Sequence, residues 1–147
     1  MARYVRQALE TLTGTARIDP REHGHRTSSG RLASFGHAVA GCLYVLRRQP
    51  NVRLMALASV LVFGLASWLG VDRLSWAALI LSVAAVWICE FINAAVEAVV
   101  NLASPEYHPM ARVAKDVAAG AVLLAALASV PVGLLILGPP LLEKLGL

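Results

Sequence analysis

Charge and cysteine are both scarce in this sequence. Of its 147 residues, 15% are Asp, Glu, Lys or Arg and 58% are apolar. The apolar share exceeds that of an ordinary soluble domain, and the mean hydropathy is +0.67. The core is therefore expected against lipid and neighbouring helices, not inside a water-soluble globule. Cys42 and Cys89 stand alone, with no Cys-x-x-Cys and no His/Cys ligand spacing. That leaves a disulfide framework, a zinc centre and a redox pair without support, and both cysteines read as small apolar residues. Neither a Gly-x-x-x-x-Gly-Lys-Ser/Thr loop nor a protein-kinase signature set occurs, so any ATP site must be built otherwise. The Asp-rich signature of a CDP-alcohol transferase is missing too, as are internal repeats and low-complexity runs. Residues 1–30 are polar, and no cleavable signal peptide is visible in them.

What charge there is lies unevenly. The formal net charge is +4 and the pI is about 9.6. Arg17, Arg21, Arg26, Arg31, Arg47, Arg48 and Arg53 crowd the chain before Leu54. In a membrane protein such a run marks a cytoplasmic end facing anionic lipid. Nucleic acid is a poor alternative, since no zinc-finger spacing, RRM signature or aromatic platform accompanies the charge. Residues 1–31 read as a flexible basic tail with room for a short helix at Tyr4–Leu12. His23 and His25 sit in a Gly-rich part of it and read as solvated rather than as a metal pair. Residues 32–147 form the single domain.

Four helices are expected there. Leu32, Phe35, Val39, Cys42, Leu43 and Leu46 recur at steps of three and four, which predicts a short amphipathic helix suited to a membrane surface, with Ser34 as its cap. Pro50 breaks that pattern and can open the next helix. Leu54–Val71 carries no charge and is long enough to cross a membrane, with Trp68 as an interfacial anchor. A tight turn at Gly70–Arg73 leads into a second long helix, Leu74 to about Ala103. Ser104–His108 connect it to a third, opened by Pro109, kinked at Pro131 and ended by Gly138, Pro139 and Pro140. The positive-inside rule puts the N-terminus and the Arg112/Lys115 connection in the cytoplasm, and the Asp72–Arg73 turn and the C-terminus outside. The fold class is all-α and membrane-integral. Three spans make a thin bundle, so oligomerisation is expected. Small-residue runs at Ala94–Ala95, Ala118–Gly120 and Ala125–Ala126 permit close helix contact.

The polar residues inside these spans are the informative ones. Leu74–Cys89 is uncharged, and then Glu90, Asn93, Glu97 and Asn101 follow in an apolar context. At about 100° per residue all four fall within a stripe of roughly 80°. Arg112, Lys115 and Asp116 share a side of the next helix. Ionisable groups at membrane depth are costly and usually face a bundle interior or a water-filled cavity. Two acids seven residues apart repel unless a cation or a proton intervenes. With Gln49–Asn51, these groups meet at one level near the cytoplasmic face. Carboxylates, amides and a lysine there suit phosphoryl transfer. Magnesium bridges carboxylate and phosphate, lysine meets phosphate oxygens, and a carboxylate takes the proton of an attacking hydroxyl. A non-enzymatic ion-pathway or assembly subunit is the alternative. It would need polar groups through the whole membrane depth, and Leu74–Cys89 offers only Ser75 and Ser82.

The run Glu90-Phe-Ile-Asn93-Ala-Ala-Val-Glu97-Ala-Val-Val-Asn101, followed by His108-Pro-Met-Ala-Arg-Val-Ala-Lys115-Asp116-Val-Ala-Ala-Gly-Ala-Val, resembles the prokaryotic diacylglycerol kinase family, which includes undecaprenol kinases. The likeness covers about Leu32–Val130. It implies a homotrimeric kinase of the bacterial inner membrane that uses magnesium and ATP at cytoplasmic sites shared between protomers. By motif position Glu90 looks like the general base and Glu97 like a magnesium ligand that also serves the nucleotide. Asn93, Lys115 and Asp116 look like nucleotide-binding groups, with His108 near that side. Asn51 and Asn101 fall at the substrate end of the interface. Many members carry an acid at the position of Asn101, and some carry a metal-binding Glu where Gln49 stands, so the second metal ligand differs here. The Ala-Lys-Asp-Val-Ala-Ala-Gly-Ala-Val form is closer to the undecaprenol kinases, which makes undecaprenol the expected acceptor and diacylglycerol the alternative.

Overall fold

A computed structural model describes residues 30–146, apart from the side chains of residues 32 and 33. The flexible tail expected before Gly30, the helix at Tyr4–Leu12 and the His23/His25 pair lie outside the described residues. Four helices follow in order: α1 (Arg31–Arg48), α2 (Pro50–Leu69), α3 (Arg73–Ala103) and α4 (Pro109–Leu145), with no strand among the described residues. The chain forms two compact units, Met1–Gly41 and Cys42–Leu147, and the boundary between them falls within α1. The described part of the first unit is the N-terminal portion of that helix. The second unit contains α2, α3 and α4.

Three of the helices are long and apolar enough to cross a membrane. Their 20, 31 and 37 residues correspond to lengths of about 30, 46 and 55 Å. A bilayer core is about 30 Å thick, so α3 and α4 are longer than the core they could cross. Along α1, Phe35, Val39, Leu43 and Leu46 are exposed, and Val45 is buried.

Local chemistry fixes the helix ends. Gln49 is extended (φ −91°, ψ 117°) with Pro50 in the first turn of α2, the arrangement proline imposes on its neighbour. The helix therefore starts at Pro50, the residue expected to open it, and takes in Arg53 ahead of the uncharged run from Leu54. Gly70 closes α2 in the left-handed region (φ 69°), and its N–H donates to the carbonyls of Ala66 and Ser67. Asp72 opens α3: Oδ1 accepts from the N–H groups of Leu74 (2.8 Å) and Ser75 (3.2 Å), and Oδ2 accepts from Ser75 Oγ (2.6 Å). His108 opens α4, with Nδ1 accepting from Met110 N–H at 3.2 Å.

Two expectations are corrected. Ser34 does not cap α1. The helix begins at Arg31, and Ser34 sits in the first turn, with its Oγ donating to the Gly30 carbonyl at 3.4 Å. Nor does α4 end at Gly138–Pro140. It runs on to Leu145 and stops where Gly146 turns left-handed (φ 74°). Proline's fixed φ is itself helical, and each proline removes only one intrahelical bond. Unwinding in hydrocarbon would strip several backbone groups of partners.

Packing between distant residues sets the topology. Ala66, Leu79 and Leu137 form one cluster, joining the end of α2, the start of α3 and the end of α4. Val45, Val52 and Ala94 form another near the opposite end, with Trp87 and Phe91 packed against it. The spans thus run up, down and up. Trp87 Nε1 donates to Ser59 Oγ (3.1 Å), which in turn donates to the Met55 carbonyl (2.7 Å). At the far end Lys144 Nζ donates to the Trp68 carbonyl (2.7 Å) and lies 4.4 Å from the centre of the indole ring.

The Asp72 cap generates a pH prediction. Its bonds to the Ser75 side chain, then to the backbone of Ser75 and Leu74, hold the carboxyl below the ordinary aspartate value. A group with a depressed folded pKa stabilises above its unfolded pKa, and that contribution fades as pH falls through the folded value. Asp72→Ala should lower the thermal midpoint in detergent at neutral pH, and the gap from the parent should close as the carboxyl protonates. A gap independent of pH would show that the cap works without its charge.

Candidate active site

The stripe on α3 meets its partners in successive turns. Glu97 Oε2 accepts from Gln49 Nε2 at 3.1 Å. Gln49 is the residue between α1 and α2, and its side chain makes no capping bond to its own helix. One turn further along α3, Asn101 Oδ1 accepts from Lys115 Nζ of α4 at 2.6 Å. The corner before α2, the last turns of α3 and the first turns of α4 therefore converge at one end of the bundle.

Two hollows open from this region. The first, of about 360 Å³, lies at the α3–α4 junction, and its walls include Asn101, Tyr107, His108, Arg112, Lys115 and Asp116. Arg112 Nε lies 3.5 Å from Asp116 Oδ2, and both side chains are about 70% exposed (70% and 69%). At that exposure the pair constrains little, so each remains available to a ligand. The hollow holds two cations, Arg112 and Lys115, and two acids, Glu106 and Asp116, at the N-terminus of α4; the cations and the helix dipole are the features that favour an anion there.

The second hollow, of about 310 Å³, is mostly apolar. Leu54, Met55, Val86, Val122 and Leu123 line it, together with Asn51, Glu90 and Asn93. Glu90 is 1% exposed and Asn93 is 7% exposed. Among the described residues no group donates to either carboxylate oxygen of Glu90 or to Asn93 Oδ1. A buried acceptor without a donor is costly, and a carboxylate more so. The arrangement suits a molecule with a long apolar body and a hydroxyl, whose proton would meet Glu90.

The structure thus sorts the expected site residues into groups. Asn51, Glu90 and Asn93 share the apolar hollow, while Asn101, His108, Lys115 and Asp116 share the polar one. Gln49 and Glu97 are tied to each other. Eleven residues separate Glu90 from Asn101 on α3, about 16 Å along the axis, so the two hollows are separate within one chain. Arg112 and Tyr107 line the polar hollow without having been assigned a part from sequence. The three-and-four spacing of Arg112 with Lys115 and Asp116 was the signal for the arginine. Tyr107 gave no signal, because nothing in its neighbours shows which way a connecting residue turns.

Among the described residues, no three of His, Cys, Asp and Glu come together as a metal cluster. The Glu97 carboxylate nonetheless offers hard oxygen, and the Gln49 amide, whose nitrogen now donates to it, would add a second oxygen if the amide turned over. That suits a magnesium ion whose remaining oxygens come from phosphate and water.

Comparison with known proteins agrees with this architecture. The family description "Prokaryotic diacylglycerol kinase" matches residues 36–137. A diacylglycerol kinase of Synechocystis sp. is 42% identical over 124 residues, covering 84% of this chain and 71% of that protein. An undecaprenol kinase of Bacillus subtilis is 36% identical over 118 residues, covering 80% of this chain and 96% of that protein. A diacylglycerol kinase of Escherichia coli is 39% identical over 99 residues, covering 67% of this chain and 81% of that protein. The chain belongs to the prokaryotic diacylglycerol kinase family, a family of lipid kinases.

Proposed function

We propose that this bacterial membrane protein transfers the terminal phosphoryl group of ATP to the primary hydroxyl of undecaprenol. The observation that carries a lipid-alcohol acceptor is the Glu90 carboxylate. It is buried, has no donor on either oxygen, and faces an apolar hollow between helices. A positioned carboxylate of this kind takes the hydroxyl proton as the oxygen attacks. The apolar walls leave the lipid body in a membrane-like environment. Undecaprenol is favoured by the Ala-Lys-Asp-Val-Ala-Ala-Gly-Ala-Val form and by the match along 96% of the Bacillus undecaprenol kinase. Diacylglycerol is the second reading, favoured by the 42% identity to the Synechocystis enzyme.

Lys115, Asp116 and His108, which share the polar hollow, are assigned to the nucleotide; Asn93, beside Glu90 in the apolar hollow, would meet the nucleotide only from the acceptor side. Lys115 and Arg112 supply positive charge at the polar hollow, and the α4 N-terminus adds its dipole. Glu97 with Gln49 would hold magnesium, which when bound neutralises charge on the transferring phosphates. The kinase works as a homotrimer with sites shared between protomers. This is supported by the separation of the two hollows within one chain. It is also supported by the many large apolar side chains left exposed on α2–α4, such as Leu57, Leu61, Ile92 and Leu124. Arg47, Arg48, Arg53, Arg112 and Lys115 flank the site end, so by the positive-inside rule that end is cytoplasmic and the C-terminus is outside.

Three experiments test this reading. Purified protein with magnesium, labelled ATP and either undecaprenol or diacylglycerol should label undecaprenol faster; label in neither lipid would end the proposal. In the same assay Glu90→Gln should lower kcat by about 10²- to 10⁴-fold while the oligomer stays intact on size exclusion. Full turnover would remove Glu90 as the base. Glu97→Gln should raise the magnesium concentration needed for half-maximal rate by at least about tenfold. An unchanged magnesium requirement would move the ion elsewhere.

A further inference from the structure

Lys115 is held by a neutral group. Its Nζ donates to Asn101 Oδ1 at 2.6 Å, from α4 across to α3. Among the described residues no carboxylate lies within ion-pair distance of it; Asp116 and Glu106 line the same hollow, but Asp116 lies beside Arg112. Lysine is a point charge on a flexible stem of four carbons, with three donors. A charge-assisted bond to an amide oxygen restrains that stem and uses one donor. An aspartate at the same place would restrain it equally and cancel its charge. Asn101 has no capping duty to compete with this, since the last turn of α3 is closed by Ser104 N–H donating to the Val100 carbonyl. Both residues line the polar hollow beside His108 and Arg112.

We propose that Asn101 is a positioning residue for the nucleotide: it aims Lys115 into the α3–α4 hollow and leaves the full lysine charge for the phosphates. The inference rests on the reading of Lys115 as a nucleotide-binding group. Two of the three ammonium donors stay free for phosphate oxygens. The amide differs from a carboxylate here in charge, not in shape, so the two effects can be separated by substitution.

The test measures binding of a non-hydrolysable ATP analogue with magnesium to the full-length protein in detergent, alongside KM and kcat for ATP. Asn101→Asp keeps the shape and adds the charge. It should weaken the analogue by about three- to tenfold, with the loss shrinking as salt rises. Asn101→Leu frees the lysine without cancelling it. It should raise KM for ATP more than it lowers kcat, with little dependence on salt. Lys115→Ala should cost more than either, and adding Asn101→Leu to Lys115→Ala should cost almost nothing further. If Lys115→Ala binds the analogue as the parent does, both this inference and the nucleotide reading of Lys115 fall. If Lys115→Ala is weak but both Asn101 variants bind normally, only the positioning role falls. It also falls if Asn101→Leu exacts its full cost on top of Lys115→Ala. Asn101 is exposed, so both substitutions spare the core. Asn101→Asp, the near-isosteric change, carries the test by itself if the leucine variant fails to assemble.

Discussion

A carboxylate on a membrane-length helix must be turned away from lipid, and that requirement fixes how α3 is rotated about its axis. Glu90 and Asn93 face inward together, and Glu97 and Asn101 follow on the same stripe to meet Gln49 and Lys115. Once the stripe faces protein, the opposite face of α3 is committed outward: Ile88, Ile92 and Val99 are exposed. The apolar hollow at Glu90 and the polar one at Lys115 then lie along the same helix at different depths. One is suited to a lipid body and the other to an anion. Such a division of labour is what a reaction between a membrane alcohol and a water-soluble phosphate donor needs.

Much of this was legible beforehand because hydrophobic periodicity is strong in a membrane chain. The uncharged run Leu74–Cys89 and the spacing of the four polar residues after it were enough to predict α3 and its inward stripe. Pro50 and Pro109 marked helix starts for a simple reason: a residue without an N–H loses nothing in the first turn. The same residue type misled at Pro139 and Pro140. Their cost is set by what surrounds the helix, and the rule that prolines end helices is learned in water. Ser34 misled in a similar way, because a serine's hydroxyl serves equally as a first-turn donor and as a cap. Pairings between segments, such as Gln49 with Glu97, could be placed at one level from sequence. Which atom bonds which could not, since that depends on helix rotation to within a few tens of degrees.

The interior is small for the length of chain. Among the described residues Leu79, Val52 and Glu90 are its largest fully buried side chains, and one of the three is an acid. Two aromatic pairs form among the described residues. Phe63 and Trp76 stack at 5.8 Å near the far end, and Trp87 and Phe91 lie 6.4 Å apart near the site. Trp87 is fastened by its indole N–H to Ser59, so the α2–α3 contact just beyond Glu90 has a defined register.

The end remote from the site shows the opposite economy. The Trp68 carbonyl, left open by the end of α2, is taken up by the ammonium of Lys144, which also rests on the indole of the same residue. One side chain from the last turn of α4 thereby closes off α2. The two spans are locked at that rim by the chain's own groups, so shortening α4 by a single turn would unfasten its neighbour as well.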